Sequence, residues 1–188
     1  MNIGINDVES GMGLRVDGEI YSVLDYNHVK PGKGAAFVRI RIRNLKTDAV
    51  LERTFRSADS LEQVDLEERR FQFLYRAGDV FHFMDQTNFE EQILTAAKLG
   101  HAVDYLKDNA EVTAVTLGNE VLKIEIPNFI IATVVESEPG IKGDSSKSGT
   151  KPAKIDTGAM IQVPLFIEVG EVIKVDTRSG SYVERVKK

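Results

Sequence analysis

The chain reads Lys30-Pro-Gly-Lys-Gly34 between two stretches in which apolar residues alternate, Glu19-Ile-Tyr-Ser-Val-Leu-Asp-Tyr26 and Ala36-Phe-Val-Arg-Ile-Arg-Ile-Arg43. Alternation with a period of two predicts β-strands, and a proline with two glycines in five residues predicts a turn. Together they predict a β-hairpin whose tip carries Lys33. The other residues of the predicted tip loop are Lys30, Pro31, Gly32 and Gly34.

The alternating pattern recurs along the rest of the chain, so we expect an all-β protein. Another strand is predicted at Val50–Arg56. Several short strands in about sixty residues favour a small barrel of SH3-like (KOW-like) type, because a closed barrel leaves no edge strand exposed. This first predicted domain covers residues 1–64.

The second predicted domain, residues 65–128, has two hairpins separated by a helix. The hairpins are predicted at 71–84 and 111–126. Thr87 and Glu90 have the spacing of a helix capping box, and the apolar residues after them predict a helix that continues to Leu99, with a short turn near 103–107. Strands interrupted by a short helix are compatible with an OB-type barrel.

The third predicted domain, residues 129–188, follows Pro127, because proline cannot continue a central strand. The segment 138–152 is rich in Gly, Ser and Lys, so we expect an exposed, mobile loop. The remaining pattern is a second OB-like one. Its predicted strands are Phe129–Glu136, Met160–Val163, Leu165–Val169, Val172–Val175 and Tyr182–Val186. Three β-domains in a row predict an elongated chain.

The net charge of −5 is unevenly distributed. Residues 65–128 carry six Lys and Arg against twelve Asp and Glu, whereas the first domain has nine against nine and the third has nine against eight. Local basic patches allow a protein to bind RNA without a positive net charge. Three ordinary solvated surfaces would explain the same distribution.

The sequence contains no motif for catalysis or metal binding, and we expect neither an enzyme nor a cofactor. It has no cysteine, which excludes disulfides and thiolate chemistry. His28, His82 and His101 lack metal-ligand spacing, and no nucleophile elbow or Walker motif is present. The longest apolar run, 129–135, is too short to cross a bilayer, and the first residues do not resemble a signal peptide, so we expect a cytoplasmic protein.

Two features could carry function. Lys33 lies at a glycine-flanked tip with no carboxylate in the turn, although loop lysines are common and often serve only solubility. Arg39, Arg41 and Arg43 share one face of their strand, and arginines at this spacing can follow a phosphate backbone. A merely solvated basic face is an equally good interpretation.

Longer stretches carry a resemblance to a known family. They are His28–Phe37, Lys151–Phe166 and Gly170–Arg185, together with Asp17-Gly-Glu19 and Thr54-Phe-Arg-Ser57. Through them, essentially the whole chain resembles the bacterial elongation factor P family. The resemblance implies an SH3-like barrel followed by two OB-fold barrels, in an L shape similar to tRNA.

The resemblance also implies a monomeric, non-catalytic translation factor. It would bind both ribosomal subunits between the peptidyl-tRNA and exit sites and relieve stalling at consecutive prolines. Lys33 matches the tip residue that a modifying enzyme extends in this family, with a lysyl-type or aminopentanol-type group, next to the CCA end of peptidyl-tRNA and in particular prolyl-tRNA. Candidate tRNA or rRNA contacts are Arg39, Arg41, Arg43, Gly143, Asp144, Ser145, Tyr182 and Arg185.

The chain departs from the family pattern at two places. Glu9 stands where many members have a basic residue, and Ser145 stands where some have threonine. The main alternative is a general RNA-binding β-barrel protein without a ribosomal role, which would bind many RNAs in a salt-sensitive way. An enzyme that used Lys33 as an amine nucleophile would need a buried lysine, which a glycine-flanked tip does not offer.

Overall fold

The structure is a computed structural model and describes residues 1–138 and 149–187. By their internal contacts the residues divide into two compact units, Met1–Arg69 with Ala114–Lys123, and Arg70–Thr113 with Ile124–Lys188. The domain boundaries after residues 64 and 128 stay a prediction. In the described part of the chain, no helix is both long and apolar enough to cross a membrane.

The N-terminal sheet has six strands in the order β1-β6-β2-β3-β4-β5. They are β1 (Asn2–Ile3), β2 (Gly13–Val16), β3 (Glu19–Val29), β4 (Phe37–Asn44), β5 (Val50–Arg56) and β6 (Leu61–Val64). The predicted hairpin is confirmed, since β3 and β4 pair antiparallel from Tyr21 with Asn44 to Val29 with Phe37. Its buried face, which includes Val23 and Ile40, forms the core with Leu14 and Leu61.

A second hairpin in this sheet, β2 with β3, was not predicted. Its turn is Asp17-Gly18, and both residues have positive φ angles, 52° and 83°. An Asp-Gly pair suits a two-residue hairpin turn of this kind, because glycine adopts a positive φ at no steric cost. The signal was therefore present in the sequence.

Gly13 lies on β2 where no side chain fits. A Cβ built there would meet the Val64 carbonyl oxygen and the Leu66 Cγ, both at 2.6 Å. We expect Gly13→Ala to destabilise the protein by about 2–3 kcal/mol, because a paired backbone cannot move aside cheaply. Urea unfolding measures this, and Gly32→Ala is the matched control, because no described residue lies within 4 Å of a Cβ built there. Equal stability of the two variants would contradict the prediction.

The central sheet has the order β11-β10-β7-β8-β9. Its elements are β7 (Leu66–Ala77), β8 (Val80–Asp85), β9 (Glu91–Thr95), α1 (Ala96–Leu99), a 3₁₀ segment (Gly100–Tyr105), β10 (Glu111–Leu117) and β11 (Glu120–Glu125). Both predicted hairpins are present, β7 with β8 and β10 with β11.

The helix predicted from Thr87 to Leu99 is wrong over most of its length. Residues Glu91–Thr95 form β9, which pairs with β8 and places Leu94 opposite the buried Phe81. The Asp85 carboxylate accepts the Thr87 N–H at 2.8 Å, so the supposed capping box is a turn. Strand pairing outweighed local helix propensity, and of the predicted helix only Ala96–Leu99 is α-helical.

The C-terminal strands form a closed barrel in the order β12-β13-β14-β16-β15. They are β12 (Phe129–Ser137), β13 (Thr150–Ile155), β14 (Met160–Pro164), β15 (Val172–Asp176) and β16 (Ser181–Arg185). The core lies inside the barrel, with Val163, Ile167 and Ile173 fully buried.

Two predictions for this barrel are corrected. Leu165–Val169 is not a strand: Ile167 donates its N–H to the Pro164 carbonyl in a turn, and it is buried while Phe166 and Val169 are exposed. The loop expected to reach residue 152 ends earlier, because β13 begins at Thr150. Pro152 is tolerated there because it pairs only with Gln162, beyond the last pair with β12.

Candidate nucleic-acid interface at the β3–β4 hairpin

Lys33 lies at the exposed tip of the β3–β4 hairpin, as predicted. Val29 and Phe37 form the last strand pair, so residues 30–36 cross the tip. Residues 30–35 are all exposed, and Gly34 has a φ of 118°, where a side chain would be strained. Among the described residues, the Lys33 ammonium has no hydrogen bond or ion pair. The amine therefore projects into solvent from a short, conformationally restricted loop.

The arginines of β4 lie on one face of the strand, which confirms the predicted alternation. Val38, Ile40 and Ile42 point into the core with no exposed surface. Arg39 and Arg41 are exposed on the opposite face. Their contact with RNA stays a prediction.

The three arginines have different neighbours across the sheet. Arg41 pairs with Asp25 on β3 and Glu52 on β5, so carboxylates flank it on both sides. Opposite charges on paired strands attract, which offsets part of the Arg41 charge. Arg39 pairs with uncharged residues on both sides, and so does the half-buried Arg43. Arg39 is therefore the best placed of the three to attract a phosphate.

An open groove of about 470 Å³ lies beside Arg39, next to the tip loop. The Arg39 guanidinium lies 5.7 Å from the centre of the Phe37 ring, in a cation–π contact. Arg56 approaches the same groove because it pairs with Phe37 across β4 and β5. The lining residues are Ala35, Phe37, Arg39, Thr54 and Arg56. Two guanidinium groups and an aromatic ring suit a nucleotide, which offers a phosphate and a flat base.

Arg56 was not predicted as a functional residue. It lies on a different strand from the other arginines and 17 positions from Arg39 in the sequence. Only the register between β4 and β5 places it beside Phe37. The alternating pattern of β5 contains no signal for that register.

The C-terminal candidates have structural partners of their own. Tyr182 packs partly against the barrel core. The Arg185 guanidinium forms an ion pair with Glu171 at 2.9 Å. Hydrogen bonds from the Glu168 N–H and then from Arg185 hold the pKa of the Glu171 carboxyl below its usual value. Gly143, Asp144 and Ser145 lie outside the described residues.

His82 and His28 have separate partners. His82 contacts the Glu91 carboxylate at 2.5 Å and stacks on Tyr75 with the ring centres 4.3 Å apart. His28 makes an edge contact with Tyr26. Within residues 1–138 and 149–187, no three His, Asp or Glu side chains are grouped so as to hold a metal ion.

Comparison with known proteins gives matches along the whole chain. Three family models match consecutive segments: the elongation factor P KOW-like domain at residues 4–61, the OB domain at 66–124 and the C-terminal domain at 130–185. Elongation factor P of Moorella thermoacetica is 49% identical over 97% of this chain and 99% of its own. The chain belongs to the elongation factor P family. Elongation factor P of Natranaerobius thermophilus is 48% identical over 97% of both chains.

Membership in the elongation factor P family confirms two predictions, the family itself and the all-β fold class with a KOW-like domain followed by OB domains. It also makes the chain a translation factor. Among solved structures, eukaryotic translation initiation factor 5A from Methanococcus jannaschii matches 68% of this chain and 92% of its own, with a TM-score of 0.50 and 20% identity. A likeness at this identity shows a shared fold alone.

Proposed function

We propose that this elongation factor P family member binds the ribosome between the peptidyl-tRNA and exit sites and stimulates peptide-bond formation at consecutive prolines. The observation that carries the proposal is the position of Lys33, exposed at the hairpin tip directly beyond the Arg39 groove. In this proposal the groove binds the tRNA, and the lysine reaches past it towards the CCA end. The factor acts as a monomer in the cytoplasm.

The structure of proline explains why peptide-bond formation with prolyl-tRNA would need a stimulating factor. Its ring fixes φ and restricts the backbone, so a prolyl-tRNA places its reacting groups poorly. Orientation of two reactants contributes a large share of catalysis, and small misplacements slow a reaction severely. A cationic side chain beside the CCA end would hold the peptidyl-tRNA in a productive position. The ribosome would form the bond, and the factor itself would have no catalytic group.

We propose further that a modifying enzyme extends the Lys33 amine with a lysyl-type or aminopentanol-type group. An exposed amine with no partner among the described residues is accessible to such an enzyme. In an unmodified lysine the charge lies only a four-carbon stem away from the backbone. An extension would place the charge further from the backbone. The intact mass of the protein from its native host, with the peptide that contains Lys33, tests this directly.

The main test compares two reporters in a reconstituted translation system. We expect the factor purified from its host to raise the rate of synthesis through three consecutive prolines about tenfold, equivalent to about 1.4 kcal/mol in the barrier. A proline-free reporter should translate at the same rate with and without the factor. Equal effects on both reporters, together with salt-sensitive binding to unrelated RNAs, would favour the general RNA-binding alternative.

A further inference from the structure

A bulge in β16 brings Tyr182 and Arg185 to the same face of the strand. In a regular strand, residues three positions apart point to opposite faces. Here Arg185 lies opposite Ile173 of β15, and Tyr182 lies opposite Val175. Residues that lie directly opposite each other share a face, and β16 has one extra residue between these two pairs. The tyrosine ring and the guanidinium therefore face the same side, which suits contact with RNA.

The Arg185 side chain is held by the Glu171 carboxylate, which comes from the turn directly before β15. The Arg185 Nη1 lies 2.9 Å from Oε1 of Glu171. The other carboxylate oxygen, Oε2, accepts the Glu168 N–H at 2.8 Å. Each oxygen of the carboxylate thus has its own donor, so the group cannot rotate without breaking a charge-assisted hydrogen bond.

The backbone of this turn is bonded to β12. Gly170 donates its N–H to the Val134 carbonyl at 2.8 Å, and the Val134 N–H donates to the Glu171 carbonyl at 2.9 Å. The Glu171 N–H donates to the Glu168 carbonyl at 3.2 Å, which closes the turn. Because the Val134 side chain is buried in the barrel core, the position of the carboxylate is fixed by the barrel itself.

The surroundings of Glu171 keep its carboxylate ionised. The hydrogen bond from the Glu168 N–H lowers its pKa most, the bond from Arg185 lowers it next, and the charge of Lys151 on β13 lowers it further. Lys151 is only 8% exposed. At neutral pH the carboxylate is therefore charged, and its ion pair with Arg185 is maintained.

Most of the Arg185 guanidinium remains available to a ligand. The Arg185 side chain is 49% exposed, and among residues 1–138 and 149–187 its guanidinium bonds only to Glu171. A guanidinium has five N–H donors. Arg178 differs, since its Nε and Nη2 both bind Asp176, at 3.0 and 2.7 Å. An arginine held at one nitrogen and exposed at the others can bind a phosphate without first losing side-chain entropy.

We infer that Glu171 is a positioning residue for RNA binding by the C-terminal barrel, because it holds the Arg185 guanidinium in place for an RNA phosphate. This inference rests on the proposed ribosomal function. The carboxylate has two opposing effects on binding. Its negative charge repels a phosphate, whereas the order that it gives to Arg185 lowers the entropic cost of the contact. The inference assigns the larger effect to the order.

The affinity for salt-washed 70S ribosomes separates the two effects. Glu171→Gln removes a negative charge, so electrostatics alone would tighten binding. We expect binding to weaken about fivefold instead, because Arg185 loses its fixed position. Glu171→Asp should weaken it similarly, since the shorter side chain cannot keep both hydrogen bonds. This variant keeps a carboxylate near Lys151, so it decides the matter if Glu171→Gln is unstable.

The matched control is Glu184→Gln, which removes a carboxylate from the same strand. Glu184 is ion-paired with Lys174 at 3.3 Å, so its loss should leave ribosome affinity equal to or above that of the wild type. The source of the phosphate follows from measurements with and without prolyl-tRNA in the peptidyl site. An effect of Glu171→Gln in both cases indicates rRNA, and an effect only with prolyl-tRNA indicates the tRNA.

A double-mutant cycle tests whether Glu171 acts through Arg185. Arg185→Gln should weaken binding about tenfold, and adding Glu171→Gln to it should have no further effect. A purely structural role of Glu171 would give the same loss in both backgrounds and would overturn the inference. So would wild-type affinity of Arg185→Gln or of either Glu171 variant, or an equal loss in Glu184→Gln. The proposed function fails separately, if the wild-type factor leaves the proline reporter stalled.

Discussion

Lys33→Ala is expected to abolish the relief of proline stalling while the protein folds normally. The side chain is exposed and has no partner among the described residues, so its loss should change stability by no more than about 0.5 kcal/mol. The rate through three consecutive prolines should fall about tenfold, to the rate without the factor, because orientation near the reacting atoms is lost. A proline-free reporter should not respond.

The matched control is Lys46→Ala, which removes an exposed loop lysine of the same N-terminal sheet at the turn between β4 and β5. Both variants lower the net charge by one, so any difference between them belongs to the hairpin tip. We expect full activity from Lys46→Ala. If Lys33→Ala relieved stalling as well as the modified wild-type protein, the proposed role of the tip would be refuted.

Lys33→Arg separates charge from modification. It keeps a cation at the tip but removes the primary amine that a modifying enzyme would extend. If the extension matters, this variant should be as inactive as Lys33→Ala, and unmodified wild-type protein should resemble both. Activity of Lys33→Arg equal to that of modified wild type would show that charge alone suffices.

The hairpin could be predicted because local and tertiary signals agree there. The period-two pattern of β4 places Val38, Ile40 and Ile42 inward, and the Pro-Gly-Lys-Gly turn leaves Lys33 outside. The helix prediction after Thr87 was wrong because the signals there conflict. The spacing fits a helix, while pairing with β8 buries Leu94 and forms a strand. Pairing energies depend on a partner strand that a local pattern does not contain.

The same limit explains what was missed in the candidate site. The arginines of β4 are visible in one stretch of sequence, and their common face follows from alternation alone. Their neighbours Asp25, Glu52 and Arg56 come from two other strands, so only the register shows which of them offset charge and which add to it.

Replacing Arg39, Arg41 and Arg43 together by glutamine is expected to weaken ribosome binding and to flatten its salt dependence. Each phosphate contact that is lost should reduce the slope of log K against log salt by about one. Because Asp25 and Glu52 flank Arg41, we expect the slope of log K against log salt to be smaller by about two in the triple variant. Among the single variants, Arg39→Gln should have the largest effect.

The control removes the same charge from other positions of the N-terminal sheet. Arg15 and Arg53 are ion-paired with Glu62 and Asp17, and Lys46 is an exposed turn residue. Replacing these three by glutamine changes the net charge equally but should leave the salt slope near that of the wild type. A salt titration of ribosome binding with all three proteins decides the matter. Equal slopes for the wild type and the β4 variant would show that the arginines form only a solvated face. If the slope fell equally in both variants, net charge alone would attract the RNA.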